Sequence, residues 1–377
     1  MKIGILTLPL HTNYGGILQA YALQTVLERM GHEVVVFNKK REFKLPFWKY
    51  PLAYIKRATK KYILKKKNVR IFEEQYRKSI YPIISQHTQE FLDKYIHLYN
   101  IKTLKNAKEE DFDAIVVGSD QVWRPKYFMP MFKTGIQDAY LAFAKDWNIK
   151  RIVYAASFGT DDWEYTTTQT NECRELLKLF DAVSVREESG VELCKEYFGV
   201  EVKHVLDPTL LLSKKDYIQL FETAKIPKSS GNLLTYILDE TPEKTEIINK
   251  IAIDKDLIPF SVNSTKIENP NAPSEERIQP PVEAWLRGFY DAEFIVTDSF
   301  HACVFSIIFE KPFIVIGNKK RGMARFESLL KMFGLEDRLF SNIKNYHYIE
   351  NASNIQAIIE KNRNMAYDFL YKNLKNA

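Results

Sequence analysis

The strongest constraint on this chain is a rhythm of short apolar runs, each ending in a polar or glycine-bearing turn before a stretch of helical spacing. KIGILTL (2–8) leads through HTNYGG to Ile17, Ala20, Leu23, Leu27 and Met30, which share one helical face that Gly31 closes, and then to EVVVF (33–37). A strand, helix and strand in that order make a parallel pair with a right-handed crossover. The rhythm resumes in DAIVVGS (113–119), RIVYAAS (151–157), DAVSVRE (181–187) and VKHVLDP (202–208). It returns in LLTYIL (233–238), IPFSV (258–262), EFIVT (293–297) and PFIVIG (312–317). Helical stretches are expected near 171–180, after Glu188, and near 243–254, 282–290, 301–309 and 323–333. The pattern predicts an α/β protein of two tandem doubly wound parallel-sheet domains with a cleft between them. The first is expected over residues 1–205 and the second over 206–377, with a final helix over about 353–374.

Ligands of open parallel sheets bind beyond the carboxyl ends of the strands. The segments there are HTNYGG, GSDQVWR, SFG, REES, DSFH and GNKKRGMAR. His301 begins a helix directly after a buried-type strand. It either satisfies a backbone group or serves as a general acid/base or anion ligand, since a helix start favours anions and lowers a histidine pKa. Arg186 is either one half of a helix-start ion pair with Glu187 or Glu188, or a planar fork for carboxylate or phosphate. Lys319, Lys320, Arg321 and Arg325 share one loop, readable as solvated charge or as a phosphate clamp. Asp120 is placed to accept a proton from a sugar hydroxyl, and Trp123 either packs or stacks on a sugar face. Gly15 and Gly16 let backbone approach a ligand closely. Neither GxGxxG nor GxxxxGK[ST] occurs, so both nucleotide fingerprints are absent.

Charge narrows the class of partner. The chain carries a formal +6, yet residues 39–70 hold 13 Lys/Arg against Glu42 alone, so the remainder is net acidic. A local positive field suggests a local anionic partner. Phe43, Phe47, Trp48, Tyr50, Tyr54 and Tyr62 interleave with these lysines. A solvated insertion is the plain reading; peripheral contact with an anionic membrane is the sharper one. No RRM, KH or helix-turn-helix signature points to nucleic acid. No apolar run approaches the roughly 20 residues of a membrane span. The opening stretch turns polar at His11, unlike a signal peptide. Cys173, Cys194 and Cys303 have no metal-ligand spacing and read as free thiols, which places the expected protein in the cytoplasm, at most peripheral to the inner membrane face.

NYGGILQAYALQ, GSDQVW, YAASFG, SVREESG, VLDPTLLL and TDSFHACVFSI resemble, in this order, the sequence blocks of the polysaccharide pyruvyl transferase family, over nearly the whole chain. The resemblance implies a two-domain fold similar to GT-B glycosyltransferases. It also implies transfer of a pyruvyl group from phosphoenolpyruvate to a sugar of a surface-polysaccharide precursor, as a ketal. In the family an arginine after a first-domain strand helps hold the donor, and Arg186 matches it. An Arg-Leu-His block of the second domain does the same; here it reads Ser299-Phe300-His301, keeping the histidine without the arginine. The expected site then has His301 and Asp120 in catalysis. Arg186, Ser299, Lys319, Lys320, Arg321 and Arg325 are expected at the donor. Asn13, Tyr14, Gly15, Gly16, Trp123 and Arg124 are expected at a glycan or lipid-linked oligosaccharide acceptor. No metal and no cofactor beyond the donor substrate is called for. Two other readings stand beside this one, a nucleotide-sugar glycosyltransferase of the same fold type and a non-catalytic glycan-binding relative.

Overall fold

The computed structural model describes residues 1–66, 68–267, 269–317, 322–340 and 354–375. Two parallel sheets organise it. The first contains β1 (Lys2–Leu6), β2 (Glu33–Lys39), β3 (Leu98–Ile101), β4 (Ala114–Val117), β5 (Lys150–Ala156), β6 (Ala182–Val185) and β7 (Lys203–His204), in the order β3-β2-β1-β4-β5-β6-β7. The second contains β8 (Leu233–Tyr236), β9 (Pro259–Phe260), β10 (Phe294–Thr297), β11 (Phe313–Ile316) and β12 (Leu339–Phe340), in the order β12-β11-β10-β8-β9. Every strand pair is parallel.

The buried strands explain why the sequence showed near-continuous apolar runs. All four residues of β4, β10 and β11 are buried, as expected of sheets covered on both faces. The helix Tyr14–Arg29 has twelve buried residues, most of them in the core that covers the first sheet. The helix Phe300–Ile308 is buried on all sides, which fits a sequence that is apolar but for His301 and Ser306.

Strand order reverses once in each sheet. In the first, the chain builds outward from β1 on one side and from β4 on the other, so the switch point lies between them. In the second it lies between β8 and β10. Such crevices are where open α/β sheets hold ligands. The loops leaving β1 and β4 carry Asn13 and Asp120, and the first turn of the helix after β1 carries Gly15 and Gly16; Ser299 follows β10 and His301 lies in the first turn of the next helix.

The two halves are joined tightly at this level. The Tyr14 hydroxyl donates to the Pro280 carbonyl at 2.7 Å, and its ring stacks on Trp285 with centroids 5.6 Å apart. Glu188 N–H donates to Ser328 Oγ at 2.9 Å, and Lys331 pairs with Glu188. A Cβ on Gly322, whose φ is +91°, would fall 1.8 Å from the Gly159 carbonyl oxygen, so backbones of the two halves touch there. The last helix differs from the sequence reading. Sequence order assigned it to the second domain, whereas Ile355–Leu374 returns to the first sheet. Phe369 meets Tyr154, Lys150 Nζ donates to the Lys375 carbonyl at 2.6 Å, and Arg363 donates to the Leu210 and Leu212 carbonyls.

Candidate functional site

Arg186 follows β6 and is fully sequestered. Its Nη1 donates to Asp207 Oδ2 at 2.8 Å and to Ser119 Oγ at 3.2 Å, with both side chains of the ion pair essentially unexposed. Asp207 is held in turn by Thr209, whose N–H and Oγ1 donate to Oδ1 at 3.0 and 2.6 Å. Burial alone would raise the Asp207 pKa, but Arg186 and then His301 outweigh it and keep the carboxyl below its ordinary value. Asp207 is therefore an anion that fixes one edge of the guanidinium. The other edge, Nε and Nη2, is buried with no hydrogen-bond partner among the described residues. Buried guanidinium donors without acceptors are costly, which makes this edge a natural seat for an anion.

His301 lies in the first turn of the helix capped by Ser299. Its Nε2 sits 3.7 Å from Asp207 Oδ2 and has no hydrogen-bond partner among the described residues. The other face of the ring rests on Gly15, where a Cβ would lie 2.1 Å from Nδ1. The two switch points thus meet at Gly15 and His301. Burial pushes the His301 pKa down to about 4; Asp207 opposes the shift and Arg186 reinforces it. The imidazole is neutral at neutral pH, further down than a helix start alone would take it.

Arg325 comes from the first turn of the helix Ala324–Phe333 and is buried. Burial, and then the like charge of Arg186, lower its pKa to about 10, so it stays charged at neutral pH. The Arg325 and Arg186 guanidiniums stand over one ring, that of Phe300, at 5.3 and 4.5 Å from its centroid. Phe300 offers both cations a π face while contributing no counter-charge. Both guanidiniums are buried, and the carboxylates of Asp207, Glu187 and Asp120 stand around them.

Asp120 lines the opposite wall. Its backbone is in the left-handed region at φ +72°, a conformation that costs most side chains about 1–3 kcal/mol and that Asp and Asn tolerate best. Its Oδ1 accepts the Gln121 N–H at 2.8 Å, and Oδ2 lies 3.5 Å from where a Gly16 Cβ would be. Two clefts open here. One of about 440 Å³ is bordered by Asn13, Gly15, Tyr236, Trp285, Ser299 and His301. The other, of about 380 Å³, is bordered by Asn13, Gly16, Asp120, Lys40 and Arg41.

Other residues expected at the site are occupied elsewhere. Trp123 is completely buried and stacked on Tyr140 at 4.9 Å, so its ring is packing and not a sugar platform. Arg124 is paired with Glu164 at 2.8 Å and donates to Gln121 Oε1, which commits its charge. Tyr14 is spent on the contact with Trp285 and Pro280. Lys319, Lys320 and Arg321 lie outside the described residues. Three contributors escaped the sequence reading. Asp207 was legible as an acid straight after an apolar run in VLDP, Ser119 stands beside Asp120, and Phe300 beside His301. Glu187, also buried, accepts the Phe158 and Gly159 N–H groups and so holds the SFG loop. Asp298 accepts from Leu238 and Asp239 N–H and from Lys244 Nζ, which ties down the loop after β8.

Comparison with known proteins agrees with the order of blocks in the sequence. A family model for polysaccharide pyruvyl transferases matches residues 13–320, most of the chain. No curated protein matches it. Similar solved structures include UDP-GlcNAc 2-epimerase from Neisseria meningitidis bound to UDP-GlcNAc, 13% identical with TM-score 0.49, covering 100% of both chains. Sucrose-phosphate synthase from Thermosynechococcus elongatus is 12% identical with TM-score 0.42, covering 99% of each chain. An O-GlcNAc transferase mutant from Thermobaculum terrenum is 10% identical with TM-score 0.39; all of this chain aligns to 63% of that one. The match over residues 13–320 takes in Asn13, Gly15 and Gly16 and the loops after β4, β6 and β10 that build the site, and this chain belongs to the polysaccharide pyruvyl transferase family.

Proposed function

We propose that the protein transfers a pyruvyl group from phosphoenolpyruvate to a sugar of a surface-polysaccharide precursor, forming a ketal. The observation that carries this reading is the convergence of two buried guanidiniums, Arg186 and Arg325, beside His301 at the meeting of the two switch points. Phosphoenolpyruvate has a phosphate and a carboxylate, and two buried cations match two anionic groups. Arg325 supplies the positive charge that Ser299 does not.

In the proposed route a first sugar hydroxyl attacks C2 while C3 takes up a proton. This gives a tetrahedral carbon still bearing the phosphate. The bond from C2 to the phosphate oxygen then breaks, and a second hydroxyl closes on C2. Two hydroxyl protons are released, one balancing the proton gained at C3 and one leaving with phosphate. No step calls on a metal or organic cofactor. His301 is the proposed acid for C3. The donor's negative charge offsets Arg186 and Arg325, both of which lower the His301 pKa, so donor binding raises its affinity for a proton. Asp207, at 3.7 Å, steadies the resulting imidazolium. Asp120 is the proposed base for a sugar hydroxyl, and the polar cleft of about 440 Å³ is the proposed acceptor channel. The proposed setting is the cytoplasm, in keeping with three free, buried cysteines.

Calorimetric titration with phosphoenolpyruvate, with UDP and GDP in parallel, tests the reading. Saturable binding of phosphoenolpyruvate that weakens in Arg325→Met and His301→Asn is expected. Binding of a nucleotide in its place overturns the proposal in favour of a glycosyltransferase.

A further inference from the structure

Residues 47–64 form a short 3-10 turn (Phe47–Lys49), a helix (Tyr50–Ala58) and a wider helical turn (Thr59–Ile63) that together bury no side chain. The segment is nonetheless attached by one face. Arg57 forms a bidentate pair with Glu74 at 2.7 Å to each oxygen, and the Tyr54 ring meets Phe72. The opposite face presents Trp48, Leu52, Ile55 and Tyr62, at helical spacing, flanked by Phe47 and Ile63. These are large apolar side chains held out in solvent: Phe47 is 81% exposed, Leu52 71% and Ile63 72%. An apolar patch of this kind marks an interaction surface.

The charges around the patch select its occupant. Between Glu42 and Glu73 the chain has no acidic residue, while Lys49, Lys56, Lys60, Lys61, Lys65 and Lys66 surround the apolar stripe. Two copies of this face would repel each other. A bilayer carrying anionic headgroups matches it on both counts, since aromatic and aliphatic tips enter the interface while lysines stay at headgroup level. No described helix is long and apolar enough to cross a membrane, so the contact is peripheral.

Position ties this surface to the site. Lys40 and Arg41, at the root of the segment, border the cleft that holds Asp120 and Asn13. The helix that follows it, Glu73–Ile84, reaches the second domain, where Arg277 donates to the Tyr76 hydroxyl and Gln279 N–H to the Ile84 carbonyl. The basic segment therefore stands at the rim of the cleft. We infer that residues 47–64 dock the protein on an anionic lipid bilayer, with the cleft rim turned to that surface, so that the acceptor is a glycan carried on a membrane lipid. The statement about the acceptor rests on the proposed transferase reading; docking does not.

The test is co-sedimentation of the purified protein with phosphatidylglycerol/phosphatidylcholine vesicles and with phosphatidylcholine vesicles alone, at low and high salt. Binding to the anionic vesicles is expected to exceed binding to the neutral ones at least about tenfold and to fall with salt. A blue shift of the Trp48 emission is expected, lost in Trp48→Phe. Leu52→Ser/Ile55→Ser/Ile63→Ser, all at exposed positions, is expected to reduce binding about tenfold or more with the melting temperature unchanged. Equal binding to both vesicle types, no binding, or preferential capture of single-stranded DNA overturns the inference. So does concentration-dependent self-association that the triple variant abolishes. Phosphoenolpyruvate titration of the unsubstituted protein, beside its vesicle binding, separates the two proposals. Intact donor binding with no vesicle binding removes the docking inference alone, and vesicle binding with no donor binding removes the transferase reading alone.

Discussion

The His301 imidazole lies directly on the Gly15 backbone, with room for no further carbon: a Cβ at that position would be 2.1 Å from Nδ1. One residue comes from the first sheet's switch point and the other from the second's, so the orientation of the histidine depends on how the two halves meet. Gly15→Ala is expected to displace the ring and weaken donor binding by at least about tenfold, the usual penalty for misplacing a positioned group. Titration with phosphoenolpyruvate, beside a thermal melt to confirm folding, reads this out. Unchanged binding would show that the ring is placed by other contacts.

Removing one half of the Arg186–Asp207 pair leaves a buried charge alone. Arg186→Met is expected to cost about 3–5 kcal/mol of stability in denaturant unfolding. Arg186→Met/Asp207→Asn is expected to recover most of that loss, because both charges go together. Neither variant is expected to bind donor. Recovery of stability without recovery of binding separates the guanidinium's ligand role from its structural one.

Acid should destabilise the fold in a defined window. The folded-state pKa values of His301 and His11 are both about 4, lowered from 6.5 chiefly by burial, with Arg41 adding to the effect at His11. Between these values the unfolded chain binds more protons than the folded one, so stability is lost as pH falls from about 6.5 to 4. His301→Gln and His11→Gln are each expected to flatten the slope of stability against pH in that window. An unchanged slope in both variants would show that neither ring is buried neutral.

Donor binding should run the other way on His301. At about pH 6 the free protein holds a neutral imidazole, and the bound anion favours its protonated form. Calorimetry in buffers of different ionisation enthalpy is expected to show net proton uptake that His301→Asn removes. Uptake that persists in the variant would assign the proton to another group.

Asp120 offers a contrast between two substitutions. Asparagine tolerates the left-handed backbone at φ +72°, whereas alanine does so less well. Asp120→Asn is expected to melt close to the unsubstituted protein, and Asp120→Ala about 1 kcal/mol less stable. If the carboxylate is the base, turnover with an acceptor falls about a hundredfold or more in both. Equal turnover in Asp120→Asn would remove it from that role.

The sequence made the strands legible where burial on both faces leaves continuous apolar runs, as in β4, β10 and β11. It did not show β3 or β12, whose strands are short edge pieces, nor the helices Glu73–Ile84 and Gln86–Tyr95, which bury only a few side chains each. Pro125–Phe132 contains two prolines and was invisible to a helical pattern for that reason. At the site, Arg186, His301 and Arg325 were legible because charge directly after a buried strand or at a helix start is unusual. Trp123 and Arg124 carried the same signal and turned inward instead. Whether a residue after a strand faces a cleft or a core depends on what packs over it, and Tyr140 and Glu164 lie too far along the chain for spacing to reveal. Asp207 shows the converse: it stands in the VLDPTLLL block with no role read for it, and only the fold places it against Arg186.

The return of Ile355–Leu374 to the first sheet has a consequence for how the molecule is made. Phe369, Leu370 and Leu374 are buried in the same core as Tyr154, so the sheet that leaves the ribosome first stays partly uncovered while the whole second sheet is synthesised. The first half is therefore not one contiguous stretch of chain. A cut near residue 205 would yield a first fragment missing its own cover, and that fragment would have to find the second piece before it was complete.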